Sequence, residues 1–168
     1  MKVSDDMKNS IEHYQQYHQK QVVDLILGIQ VEEFSIPITL DDQPDLQSIE
    51  TFYQKGRGNF WVALDGNRVV GTIALIDIGG GDGVLRKMFV DKNYRGKDRG
   101  VAFDLLSKLL SSARLSDMRT IFLGTTEKYL AAHRFYEKYG FREILELELP
   151  AHFPRMAVDR KFYTLSIC

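Results

Sequence analysis

From Val84 to Leu123 the chain reads as a strand (VLRKMFV), a loop with Gly96 and Gly100, an amphipathic helix (GVAFDLLSKLLSSAR) and a second strand within RTIFLGT. A strand–helix–strand crossover of this length makes its two strands parallel neighbours. The chain upstream imposes the opposite pairing. Phe60–Leu64 and Val69–Ile78 flank the turn DGN, whose residues suit the positive φ of a tight hairpin. GGGDG, Gly79–Gly83, then turns the chain back into VLRKMFV. An antiparallel meander feeding a parallel crossover predicts a mixed, mostly antiparallel sheet flanked by helices, α/β or α+β in class.

The remaining segments fit such a sheet. SIEHYQ reads as a short strand and HQKQVVDLILGIQ as a helix, with Val22, Val23, Leu25, Ile26 and Ile29 at helical spacing. DDQPDLQSIETFYQ reads as a second helix, capped by Asp42 or Asp45, with Pro44 at its start. EKYLAAHRFYEKYG is a helix stopped by Gly140. FREILELEL and AVDRKFYTLSI read as the last two strands, parted by the proline-bearing PAHFPRM. Phe60 and Trp61 read as core. A chain of 168 residues without linker, repeat or low-complexity tract is expected to form one domain over 1–168.

Composition narrows the classes. A formal net charge of -1 lacks the basic excess of a nucleic-acid binder. Cys168, at the last position, is the single cysteine, so neither a disulfide nor a cysteine metal site forms within the chain. The first residues carry no apolar run of the signal-peptide kind, and no segment reaches membrane-spanning length. A cytoplasmic protein with no membrane partner is the expectation.

The loop YRGKDRGVA opens the crossover helix. The first N–H groups of a helix lack internal partners and lie at the positive end of its dipole, where an anion such as phosphate fits. Gly100 and Ala102 let a ligand approach, and Arg95, Lys97 and Arg99 add positive charge. Asp98 opposes that charge. It either caps the helix or turns to solvent, leaving its backbone N–H to the ligand. Neither the P-loop nor the dinucleotide glycine spacing is present.

KDRGVA, Lys97–Ala102, with Leu105 and Leu106 behind it, resembles the motif [Q/R]-x-x-G-x-[G/A] of the GNAT acetyltransferase superfamily. Lys97 stands in the Gln/Arg position, and Asp98 falls on a variable one. AAHRFYEKYGF, Ala131–Phe141, resembles a second helix of that family. IQVEEF, QPDL, GNFWVAL and LRKMFV resemble a bacterial subgroup. The resemblance implies a sheet splayed between its two parallel strands, acetyl-CoA as cosubstrate and no metal. It implies direct acetyl transfer to a primary amine of a small molecule or peptide, and homodimers are common in the family. Backbone amides of the loop would hold the pyrophosphate: Arg95 and Gly96, then Lys97, Asp98 and Arg99, then Gly100, Val101 and Ala102. The pantetheine arm would bond along Met88, Phe89 and Val90, with Thr125 across the gap. His133 would reach the cofactor or stand solvated.

Tyr136 is the general acid that the resemblance implies. A phenol, pKa about 10, stays protonated beside a leaving thiolate, pKa about 8.5. Many family members carry a glutamate early in the strand before the loop, and VLRKMFV has no acid. Glu33 is the tentative base, with Glu32, Asp77 or a water chain as alternatives. Arg86 and Lys87 could recognise an acceptor carboxylate, but strand alternation would let only one of them reach the site. A non-catalytic acyl-CoA-binding module is the competing class, to which the missing strand acid would be suited.

Overall fold

The computed structural model describes residues 9–96 and 100–168. Strands β1 (Ser10–His13), β2 (Asn59–Asp65), β3 (Arg68–Gly79), β4 (Asp82–Val90), β5 (Thr120–Thr125), β6 (Arg142–Ile144) and β7 (Lys161–Ser166) form one sheet in the order β1-β2-β3-β4-β5-β7-β6. Every neighbouring pair is antiparallel except β4–β5. The helices are α1 (Gln19–Leu27), α2 (Ile49–Tyr53), α3 (Val101–Leu115) and α4 (Leu130–Lys138). The meander and the parallel crossover are as expected from the sequence.

The continuous apolar run of β2 follows from cover on both faces of the sheet. Phe60, Val62 and Leu64 pack with Val22 and Ile26 of α1 and Ile49 of α2. Trp61 and Ala63, pointing the other way, pack with Leu105, Leu106 and Leu109 of α3. Phe60 and Trp61 are therefore core, one on each face. Trp61 is 1% exposed, and its truncation leaves a void that the sheet cannot close. Trp61→Ala is expected to lower unfolding free energy by about 3–5 kcal/mol, read from urea denaturation.

The last strand starts late, at Lys161 instead of Ala157, which leaves 157–160 in the preceding loop. Three further segments depart from the periodic reading. The expected helix over 41–54 divides into a 3-10 turn, Pro44–Gln47, and α2, because Ser48 leaves helical geometry (φ -145, ψ 52). That break accompanies the burial of Asp45, which binds Tyr53 instead of capping a helix. The expected strand over 141–149 pairs only at Arg142–Ile144. Its partner β7 begins at Lys161, so Glu146–Glu148 turns as a 3-10 helix with Leu145 and Leu147 exposed. The first helix loosens after Leu27 into a π-helical turn, Gly28–Glu33.

The sheet opens at its centre. β4 and β5 pair only at Asp82–Thr120, Gly83–Ile121 and Val84–Phe122, then diverge. Past that point β4 carries a bulge: Thr72 faces Phe89 while Ala74 faces Arg86, which sets Lys87 and Met88 of β4 against Ile73 of β3. Lys87 takes the left-handed φ of 53° at this bulge. Its carbonyl accepts a hydrogen bond from the Thr72 hydroxyl at 2.6 Å.

Candidate active site

Two cavities fill the gap where β4 and β5 part. The larger, about 630 Å³, lies between Met88–Val90 of β4, the loop at Gly96 and Gly100, and α4. The smaller, about 80 Å³, lies behind it between Arg86 and Lys87, Gly124 and Thr125 of β5, and the loop leading into β7. Met88, Phe89, Tyr129, Ala132 and Tyr136 line both, so the two are chambers of one site. Tyr129 meets Phe34 and Phe89 edge-on, at 5.0 and 6.1 Å between centroids, which frames the junction with fixed aromatic rings.

Sequence and geometry agree unevenly on the individual residues. Met88, Phe89, Val90, Arg95, Gly96, Gly100, Ala102 and Tyr136 border the large chamber, and Thr125 borders the small one. Lys97, Asp98 and Arg99 lie outside the described residues. Gly100 precedes α3 at φ 67°, a left-handed conformation that glycine adopts without strain. Val101 packs inward, 1% exposed, with the core under α3. His133 also turns inward: its Nε2 lies 2.9 Å from the Thr126 carbonyl, and it lines neither chamber. One strand group expected to be open is engaged, since Arg95 Nε donates to the Val90 carbonyl at 2.8 Å.

Glu33 stands apart from both chambers. Its two oxygens accept from the Arg95 guanidinium at 2.5 and 2.8 Å, a bidentate pair. That hydrogen bonding holds its carboxyl below the usual range, which makes it a poor proton acceptor. Glu32 is exposed, and Asp77 accepts from Gly79 N–H at the β3–β4 turn.

Tyr136 is 5% exposed, set among the rings of Phe135, Phe141 and Tyr163. Burial pushes its phenol well above the usual value, with the neighbouring Tyr129 adding to the effect. It therefore keeps its proton across the working range of pH.

The bulge overturns the expectation that only one of Arg86 and Lys87 reaches the site. It interrupts the strand alternation, and both side chains border the small chamber. Lys87 Nζ donates to Gln43 Oε1 at 2.6 Å and lies 3.6 Å from Asp45 Oδ2. Arg86 Nη2 stands 3.9 Å from the same carboxylate, and its Nε is buried without a partner. Asp45 is fixed from behind by the Tyr53 hydroxyl at 2.5 Å. No local pattern points to Gln43 or Tyr129, and Asp45 reads from the sequence only as a possible cap. Their roles come from contacts far apart along the chain.

Burial lowers the Lys87 ammonium to about 8, against the pull of Asp45. The unfolded chain then binds more protons than the folded one between about pH 8 and the ordinary lysine value, so stability rises with pH through that window. Wild type should gain about 2 kcal/mol relative to Lys87→Met between pH 7 and 10, by parallel urea titrations.

The profile of the Acetyltransferase (GNAT) family matches residues 24–141. The chain belongs to that family. Its GNAT fold is also that of an acetyltransferase from Staphylococcus aureus Mu50, 38% identical, with a TM-score of 0.92 over 95% of this chain and 99% of the other. An acetyltransferase of Streptococcus agalactiae superposes with a TM-score of 0.89 at 36% identity, over 93% and 96%. Among curated relatives, the N-acetylaspartate synthetase of Xenopus tropicalis is 38% identical over 125 residues, 72% of this chain and 45% of its own length. That of Danio rerio is 37% identical over 126 residues, 72% and 44%. The chain spans less than half the length of these two relatives. GNAT chemistry carries an acetyl group from acetyl-CoA to an amine. Among the described residues no group of metal-binding side chains is found, and no helix is long and apolar enough to cross a membrane.

Proposed function

We propose that this chain transfers the acetyl group of acetyl-CoA to the amine of an amino acid bearing an additional carboxylate, with aspartate the lead candidate. The observation that carries this reading is the pair of cations, Arg86 and Lys87, on the wall of a small chamber that meets the large one at Tyr136. The two cationic heads share one nearby carboxylate oxygen, Asp45 Oδ2, at 3.9 and 3.6 Å, which leaves positive charge on that wall for an acceptor carboxylate to balance. The N-acetylaspartate synthetase relatives supply the same class of acceptor independently.

In this reading the large chamber takes acetyl-CoA. The loop at Gly96 and Gly100, with the N–H groups opening α3 at Val101 and Ala102, receives the pyrophosphate. The open edge of β4 at Met88 and Phe89 holds the pantetheine arm and directs a backbone N–H at the thioester carbonyl. Tyr136 protonates the departing thiolate. Glu33 serves the cofactor loop by fixing Arg95 across it, not as a base. The chain works as one domain without a metal. A cytoplasmic setting in a bacterium fits its lone cysteine and its overlap with the Staphylococcus protein.

The test is steady-state acetylation, followed as thiol release, of aspartate, glutamate, asparagine and β-alanine. Preference for the dicarboxylates by at least about tenfold in kcat/KM is the expected result. Equal use of asparagine would contradict the carboxylate reading.

A further inference from the structure

Asp159 contributes the lone carboxylate among the described residues that line either chamber. It stands in the loop before β7, 6% exposed, against the small chamber. Its backbone is pinned on both sides: its N–H donates to the Met156 carbonyl at 3.0 Å, and its carbonyl accepts from Arg155 and Arg160 side chains at 2.8 and 2.9 Å. One side-chain oxygen, Oδ2, accepts the Met156 N–H at 2.9 Å. The other, Oδ1, has no hydrogen-bond partner among the described residues and is not sealed from solvent. The residue beneath it is a glycine for a spatial reason. A Cβ at Gly124 of β5 would come within 2.6 Å of Oδ2 and 2.8 Å of Cγ. β5 therefore gives up a side chain at the point where the carboxylate lies over it.

We propose that Asp159 is the general base of the transfer, taking a proton from the acceptor's ammonium group in the small chamber; this rests on the reading of that chamber given above. The walls have opposite charge: Arg86 and Lys87 on the β4 side, Asp159 over β5. An amino acid is bipolar in the same sense. Its carboxylate faces the cations while its ammonium faces Asp159 and the junction with Tyr136. Burial raises the Asp159 carboxyl, opposed by the Met156 N–H and by the charges of Arg86, Arg155 and Lys87. A carboxylate so raised is a better proton acceptor than one in water. Tyr129 and Tyr136 face the chamber from the α4 side, and Asp45 lies behind Lys87.

The protons and electrons balance as follows. Asp159 takes one N–H proton of the ammonium, and the freed lone pair forms the C–N bond at the thioester carbon. The C–S bond breaks with its electron pair on sulfur, which takes the Tyr136 proton. The nitrogen loses its second proton as the amide forms, and that proton restores the Tyr136 phenol. The proton on Asp159 passes to water, so one proton is released per turnover.

The experiment compares wild type with Asp159→Asn across pH, using the amine that wild type acetylates best. Asparagine keeps an oxygen for the Met156 N–H, and thermal unfolding checks that the fold is retained. A loss of about 10²–10³-fold in kcat at neutral pH is expected, with KM for acetyl-CoA unchanged. The variant should recover partly as pH rises toward the amine's own pKa, since free amine then arises without a base. A turnover number and pH profile equal to wild type would overturn the assignment and leave Asp159 a turn-capping residue. If wild type acetylates no amine, the functional reading fails and this assignment falls with it.

Discussion

Replacing Tyr136 by phenylalanine will lower kcat by about 10²–10³-fold and leave acetyl-CoA binding intact. The ring is 5% exposed and held by Phe135, Phe141 and Tyr163, so phenylalanine fills the same space and the fold survives. Only the hydroxyl is lost. That hydroxyl lacks a hydrogen-bond partner among the described residues, so its removal strands no buried protein group. In the proposed mechanism, what disappears is the proton for the leaving sulfur. Because burial holds the phenol above its usual value, Tyr136 adds no alkaline limb to the wild-type profile below about pH 10. The comparison requires kcat from saturating kinetics and acetyl-CoA affinity from calorimetry on the same variant. Unchanged kcat would remove Tyr136 from the chemistry and return it to the core.

The second large effect concerns recognition. Arg86→Met should raise KM for aspartate by about 10²-fold, the scale of losing a charge-assisted, bidentate contact. Methionine keeps the apolar stem that passes the Phe52 ring, where the guanidinium carbon lies 5.8 Å from the centroid. Lys87 stays in place, tied to Gln43 and near Asp45, so the chamber remains formed. The effect should vanish for an amine without a carboxylate. An equal loss for aspartate and for a simple primary amine would mean that Arg86 supports the fold and not the acceptor.

The fold was legible where periodicity reports local geometry. The DGN and GGGDG turns, the apolar strand runs and the stripe of Leu105, Leu106 and Leu109 on α3 fixed the meander and the crossover. The splay followed from the crossover together with the family resemblance. The sequence failed where one contact overrides a local pattern. Ser48 breaks the second helix while Asp45 turns into the core, and no spacing reports that exchange. The lining of the large chamber was largely legible because loop, glycine and helix start lie together in sequence. The lining of the small chamber was not. Arg86 and Lys87 both reach it through a bulge, which no hydrophobic count reveals. Asp159 arrives from a proline-broken loop before the last strand, 73 residues beyond Arg86, with no motif around it. His133 misled for the opposite reason: helical spacing put it three residues before Tyr136, but the Thr126 carbonyl takes its ring nitrogen inside.

The most direct measurement offers the enzyme all twenty amino acids at equal concentration with acetyl-CoA and identifies the acetylated products by mass spectrometry. N-acetylated aspartate, with glutamate second, should dominate in step with thiol release. Dominance of a neutral or basic amino acid, or thiol release without an acetylated amine, would contradict the account.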